Sequence, residues 1–220
     1  MKQKETLTII IPCYNEAAAV PLLYREIMKI SAMEPLHQLD TRIIFINDGS
    51  TDETLRILKE LASQNPQVKY LSFSRNFGKE AAIYAGLQHA DSMYTVLMDA
   101  DLQDPSSLLS AMYLAIKNET YDCVAARRSS RSGEPRIRSF FARQFYRVIN
   151  LISQTEVVDG ARDFRMMTRP VVEAVLSMEE YNRFSKGIFS WVGFRLKWIT
   201  YENTERSIGH TKWSFRRLMM

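Results

Sequence analysis

Two aspartates spaced i, i+2 follow a short apolar run in Met98-Asp99-Ala100-Asp101-Leu102-Gln103-Asp104. At the end of a buried strand both carboxylates lie in the loop, where they can converge on one hard cation. Mg²⁺ and Mn²⁺ take oxygen ligands and bind through one or two carboxylates plus substrate phosphates. A departing diphosphate needs that positive charge as its bond breaks. The plain alternative is a turn whose acids cap the following helix, and Asp104 before Pro105 is expected to act as such a cap.

Two further segments carry groups suited to a nucleotide. In Ile11-Pro12-Cys13-Tyr14-Asn15-Glu16 the aromatic ring can stack on a base and the carboxylate can accept from a base or ribose donor. Its plain alternative is a turn in which Glu16 opens a helix, where the helix dipole favours its charge. In Asn47-Asp48-Gly49-Ser50-Thr51-Asp52, Gly49 permits a tight turn. Asp48 can face a base or ribose there, and Ser50 or Thr51 is placed to cap the next helix.

The elements that must position these groups follow from hydrophobic period. Apolar, β-branched runs predict strands at Thr6–Ile11, Thr41–Ile46, Val68–Phe73, Tyr94–Met98 and Asp122–Ala126. Helical spacing predicts helices at Glu16–Ile30, Asp52–Ala62, Lys79–His89 and Pro105–Ile116, the last with proline in its first turn. Alternating strands and helices with short loops imply a parallel sheet covered on both faces, with ligands at the carboxyl ends of the strands. The polar residues collect at those ends: Tyr14 to Glu16, Asp48, Ser74 to Asn76, Asp99 to Asp104, and Arg127-Arg128. The second half is more basic. A basic amphipathic helix is expected at Arg136–Ile152, a strand at Ala161–Thr168, a helix at Pro170–Met178 and a strand at Arg195–Asn203.

Composition narrows the classes. The 220 residues are 46% hydrophobic with a net charge of +4, enough for one sizeable folded domain. Cys13 and Cys123 lie in apolar runs and read as reduced core thiols. Two cysteines and three scattered histidines supply neither a disulfide framework nor a zinc site. There is no Gly-x-Gly-x-x-Gly after the first strand, no phosphate-loop lysine motif and no Gly-x-Ser-x-Gly elbow. No secretory signal is read at the N-terminus, and no stretch reaches the ~18 apolar residues of a spanning helix. The arginine run from Arg127 to Arg147 interleaves with Phe140-Phe141 and Phe145-Tyr146. That pattern suits an anionic membrane surface. Nucleic acid is disfavoured, because the acidic strand ends would repel a polynucleotide.

These motifs together resemble the family 2 glycosyltransferases of the GT-A type. Within them the chain is most similar to the polyprenyl-phosphate glycosyltransferases related to dolichol-phosphate mannose synthase, with the bactoprenol glucosyltransferase branch nearest. The resemblance also rests on Phe73-Ser74-Arg75-Asn76-Phe77-Gly78-Lys79-Glu80, Asp163-Phe164-Arg165, the run Arg183 to Phe194, and Arg206-x-x-Gly209-x-Thr211-Lys212-Trp213. It implies a GT-A fold: an α/β domain with a mostly parallel central sheet flanked by helices and a basic C-terminal region. The expected catalytic domain is 1–205, with a nucleotide-binding half to about 126 and an acceptor half from 127. Residues 206–220 would form a lid loop and the start of a juxtamembrane amphipathic helix. Relatives are expected to continue into transmembrane helices that this chain does not contain.

The resemblance implies roles residue by residue. Pro12, Tyr14, Glu16, Asp48 and Ala100 would contact the nucleotide. Asp99, Asp101 and Gln103 would arrange Mg²⁺ or Mn²⁺ on the diphosphate, and Arg206 and Lys212 would close over the phosphates. Arg127, Arg138 and Lys186 would receive the acceptor phosphate. Asp163 would lie near the reacting centre with Asp101 and Arg127. The implied activity is inverting transfer of a hexose from a nucleotide diphosphate sugar, UDP-glucose first, to polyprenyl phosphate at the cytoplasmic face of the cell membrane. A saccharide or protein acceptor, a non-catalytic sugar-nucleotide sensor and a homo-oligomer stay open.

Overall fold

A computed structural model describes residues 4–129, 161–178, 180 and 183–202. The expected basic helix at 136–152, with Arg138, and the expected lid, with Arg206 and Lys212, lie outside the described residues. The elements run β1 (Thr6–Cys13), α1 (Val20–Ser31), β2 (Asp40–Asn47), α2 (Thr54–Gln64), β3 (Val68–Ser72), α3 (Lys79–His89), β4 (Tyr94–Leu97), α4 (Leu108–Glu119), β5 (Cys123–Arg128), β6 (Ala161–Thr168), α5 (Arg169–Leu176), α6 (Ser185–Trp191) and β7 (Leu196–Tyr201).

The strands form one sheet in the order β3-β2-β1-β4-β6-β5-β7. All neighbours are parallel except β6, which runs antiparallel to both β4 and β5. Because side chains alternate along a strand, β1 feeds two cores. Leu7, Ile9 and Ile11 pack with α1, α2 and α4 on one face, while Ile10 packs with α3, α5 and α6 on the other. The helices supply matching stripes: Val20, Leu23 and Ile27 in α1, and Leu109, Met112, Tyr113 and Ile116 in α4. Both cysteines are free and buried in these cores. Among the described residues, no helix is long and apolar enough to cross a membrane.

Two helix starts shift by three residues or more from the sequence expectation. α1 begins at Val20 rather than Glu16, because residues 16–19 form a turn in which the Glu16 carbonyl accepts from Ala19 and Val20 N–H. α4 begins at Leu108 rather than Pro105, where a turn closes with the Pro105 carbonyl accepting from Leu108 N–H. Ser185–Trp191, where the sequence predicts no element, forms the short helix α6.

α3 lies close on β1. A Cβ added at Gly86 would come within 2.3 Å of Ile10 Cγ2, a fully buried side chain. Gly86→Ala is therefore expected to destabilise the fold by about 1–3 kcal/mol through overpacking. Urea unfolding checks this, with a lower midpoint at unchanged m-value.

Candidate functional site

The β1–α1 and β2–α2 loops are stitched together through side chains. Asn15 N–H donates to Ser50 Oγ at 3.0 Å, and Asn15 Oδ1 accepts from Thr51 N–H at 2.8 Å. Glu16 N–H donates to Thr54 Oγ1 at 2.9 Å, and Ala17 N–H to Asp52 Oδ2 at 3.2 Å. Neither Ser50 nor Thr51 caps the start of α2, whose N-cap residue is Glu53, with no side-chain cap. Asp52 Oδ1, not Ser50 or Thr51, accepts from Thr54 N–H at 3.0 Å. The Ser50 hydroxyl is used to hold Asn15 instead. These bonds set Pro12, Tyr14 and Glu16, all half-buried, along one edge of the sheet.

The β3–α3 loop is pinned from below. Asp48 is 4% exposed, and its carboxylate accepts from Phe77 N–H at 2.7 Å and from Gly78 N–H at 3.0 Å. Gly49 sits at φ +63°, and a Cβ there would come within 2.3 Å of the Arg75 backbone. Only glycine lets the two loops approach so closely. Asp48 thus supports the loop that leads into Lys79, a role its sequence context did not suggest.

The acidic loop lies at the next strand end. The antiparallel β4–β6 ladder pairs Leu97 with Arg165. Two residues farther along both strands come Asp99 and Asp163, which the register sets across from each other. Lys79, the first residue of α3, bridges them: its Nζ lies 2.5 Å from Asp99 Oδ1 and 2.5 Å from Asp163 Oδ2. Burial alone would raise the Asp163 carboxyl, but the ammoniums of Lys79 and Lys186 override it and hold the group at about 2. Burial pushes Asp99 the other way, upward, with Lys79 opposing and Asp163 adding to the rise. Lys79 itself is raised, because the attraction of the two acids exceeds its desolvation.

Arg162 is the second cation. Its Nη2 lies 3.7 Å from Asp99 Oδ2 and 3.9 Å from Asp101 Oδ1, so the two carboxylates of the Asp-Ala-Asp run face one point. Its Nε donates to Asp104 Oδ1 at 2.9 Å. Asp104 does not cap α4 as expected. Its side chain is fully buried and accepts from Arg162 and from the Tyr201 hydroxyl at the end of β7. Burial, with the adjacent Asp104 charge, pushes the Tyr201 phenol up to about 12. Gln103 Oε1 is turned to Arg128 Nη2 at 2.6 Å and to Arg162 Nη2 at 3.5 Å. Within the same loop Leu102 adopts φ +58°, a left-handed conformation that costs about 1–2 kcal/mol for an L residue.

Lys186 reaches the same site from α6. Glu80 of α3 accepts from Ser185 N–H at 3.0 Å and from the Ser185 hydroxyl, anchoring the start of α6. Arg165, 2% exposed, stacks its guanidinium 3.9 Å from the Phe189 ring centre beneath. Burial lowers the Lys186 ammonium, partly offset by Asp163. Arg127, half-buried, lies at the end of β5 beside the start of β6. The structure therefore brings Asp99, Ala100, Asp101, Gln103, Arg127, Asp163 and Lys186 to one sheet edge, with Pro12, Tyr14, Glu16 and Asp48 farther along it. The sequence assigns no role to Lys79 or Arg162. A lysine in a helix's first turn, against the dipole, was the available signal for one of them.

Asp104→Asn removes the buried partner of Arg162. Because Arg162 is 20% exposed, a loss at the low end for a broken buried pair is expected, about 3 kcal/mol. Tyr201→Phe should lose about 1 kcal/mol. Urea titrations of both variants at neutral pH check the difference.

Known proteins similar to this chain identify its family and fold. The profile of glycosyl transferase family 2 matches residues 8–176. A putative glycosyltransferase, CsbB, from Bacillus subtilis (strain 168) is 46% identical over 96% of this chain and 63% of its own length. A prophage bactoprenol glucosyl transferase homolog from Escherichia coli (strain K12) is 40% identical over 94% of this chain and 67% of its own. The chain thus spans about two thirds of the length of these relatives. Among solved structures, a mannosyltransferase from Pyrobaculum calidifontis in complex with GDP-Man and Mn²⁺ aligns with TM-score 0.59 at 20% identity, covering 94% of this chain and 59% of that one. Glucosyl-3-phosphoglycerate synthase from Mycobacterium tuberculosis, with Mn²⁺ and UDP-glucose, aligns with TM-score 0.59 at 18% identity, covering 98% and 74%. The fold is that of the GT-A glycosyltransferases, and with the profile matched across most of its length the chain belongs to glycosyl transferase family 2.

Proposed function

We propose that this chain is the catalytic part of an inverting glycosyltransferase. It moves a hexose, glucose from UDP-glucose in the first instance, to polyprenyl phosphate at the cytoplasmic face of the cell membrane. The observation that carries the reading is the convergence of Asp99 and Asp101 on one point at the strand ends, with basic residues on the far side. The bactoprenol glucosyl transferase name of a 40% identical relative supports the lipid phosphate acceptor.

The residues present fit a divalent ion. Asp99 and Asp101 offer hard oxygens directed at the point where Arg162 Nη2 now lies, within 3.9 Å of both. Among the described residues no group of three or more acidic, histidine or cysteine ligands gathers for a metal. The remaining oxygens would come from the donor diphosphate and water, as Mg²⁺ and Mn²⁺ accept. When bound, the ion supplies charge that stabilises the leaving diphosphate. Gln103, engaged with Arg128 and Arg162, supports the loop in this reading and joins the ligands only on their release.

Tyr14 and Glu16 take the base and ribose, with Pro12 and Asp48 setting the loops behind them, and Ala100 lines the diphosphate side. Arg206 and Lys212 close over the phosphates. Arg127, Arg138 and Lys186 receive the acceptor phosphate. Asp163, held near 2 by two lysines, is a poor proton acceptor at neutral pH and serves to orient those lysines. The acceptor is already an anion, so alignment for in-line attack outweighs general base catalysis.

Two outcomes test this with radiolabelled sugar nucleotide and polyprenyl phosphate in detergent, on the full-length protein. Asp101→Ala should lower transfer by on the order of 10²-fold or more, and EDTA should abolish it; full activity in either case contradicts the metal reading. Arg127→Ala should raise the KM for polyprenyl phosphate about tenfold or more, from loss of a charged hydrogen bond, while hydrolysis of the sugar nucleotide changes little. Equal loss of both activities would place Arg127 at the donor.

A further inference from the structure

Lys79 stands on Asp99, one of the two carboxylates that would take a divalent ion, at the oxygen facing away from Asp101. We infer that Lys79 is a built-in counter-cation that holds the acidic site closed to free metal, so that the ion enters together with a nucleoside diphosphate. The inference rests on the metal reading above and adds an order of binding to it.

Asp99 shares one cation with Asp163 and another with Asp101, so two cations of the chain already stand against these carboxylates. Lys79 touches Asp99 and Asp163 at 2.5 Å each, and Arg162 approaches Asp99 and Asp101. The two cations differ in how freely they can leave. Arg162 is 20% exposed and is tied to the fully buried Asp104. Lys79 has a side chain 42% exposed and ends in an ammonium on a flexible stem. It also has a second carboxylate, Asp163, to which it can turn when Asp99 is taken.

Lys79 is placed here against local preference. A cation in the first turn of a helix opposes the dipole, and α3 follows directly from Gly78 at φ +97° without a side-chain cap. The helix gains nothing from the lysine; the facing acids do.

The consequence for binding is electrostatic. A divalent ion arriving alone adds two charges beside the Lys79 ammonium on Asp99 and leaves the site with an excess of positive charge. A nucleoside diphosphate brings negative charge that balances both. Metal and nucleotide therefore strengthen each other, and by linkage the factor is the same in either direction. Removing the Lys79 charge lets free metal bind the acids directly and takes away most of that mutual strengthening.

The test titrates Mn²⁺ by electron paramagnetic resonance, with and without saturating uridine diphosphate, on the full chain. Wild type should bind Mn²⁺ weakly alone and far more tightly with the nucleotide. In Lys79→Gln and Lys79→Met, Mn²⁺ alone should bind at least about tenfold more tightly than in wild type, about 1.4 kcal/mol. The strengthening by uridine diphosphate should shrink by a similar factor. Lys79→Arg, which keeps the charge, should behave as wild type. Both neutral variants are expected to fold, since the position is exposed and the helix dipole favours loss of the cation; melting curves confirm this before titration. Unchanged Mn²⁺ affinity in the neutral variants, with tight ternary binding preserved, overturns the inference and leaves the metal reading standing. No Mn²⁺ uptake by wild type even with nucleotide overturns both.

Discussion

The register between β4 and β6 governs this site. An antiparallel strand inserted into an otherwise parallel sheet sets Asp163 across from Asp99, and two carboxylates so placed repel in a half-dry environment. The fold answers with cations from separate elements: Lys79 from α3, Arg162 from β6 and Lys186 from α6. Asp104 and Tyr201 then hold Arg162 from beneath, tying β7 to the acidic loop. Each group is where it is because another charge needs it. The strain at Leu102 persists within this frame.

The β1–α1 and β2–α2 loops follow the same economy. Loop amides that would be left without partners at a sheet edge are taken by Ser50, Asp52, Thr54 and Asp48. These side chains fix the loops around Tyr14 and Glu16 before any ligand arrives, so less ordering is required on binding. The close approach at Gly49 passes that rigidity to the segment that presents Lys79.

Much of this was legible in the chain itself. The β-branched runs gave five strands, and the polar residues after them marked the edge where the groups meet. Two kinds of feature were not legible. Caps and turns depend on which hydroxyl or carboxylate reaches which amide: Asp104 looks like a helix cap beside Pro105 yet is drawn under the loop by Arg162 and Tyr201, from distant strands. Ser50 likewise is claimed by Asn15 across a loop. The second kind is pairing at a distance. Nothing in the period of residues 161–168 says that the strand runs antiparallel, and without that the meeting of Lys79, Asp99 and Asp163 has no local signature. α6 is seven residues of mixed aromatic and basic character, too short for a helical period to declare itself.

The central claim is that Asp99 and Asp101 hold a divalent ion against a donor diphosphate. Anomalous diffraction at the manganese edge, from crystals grown with Mn²⁺ and uridine diphosphate, addresses it most directly. One strong peak is expected within coordination distance of both carboxylates and of the diphosphate oxygens, with Lys79 Nζ moved off Asp99 toward Asp163. Ordered nucleotide at this sheet edge with no manganese peak between Asp99 and Asp101, or with the peak elsewhere, would contradict it.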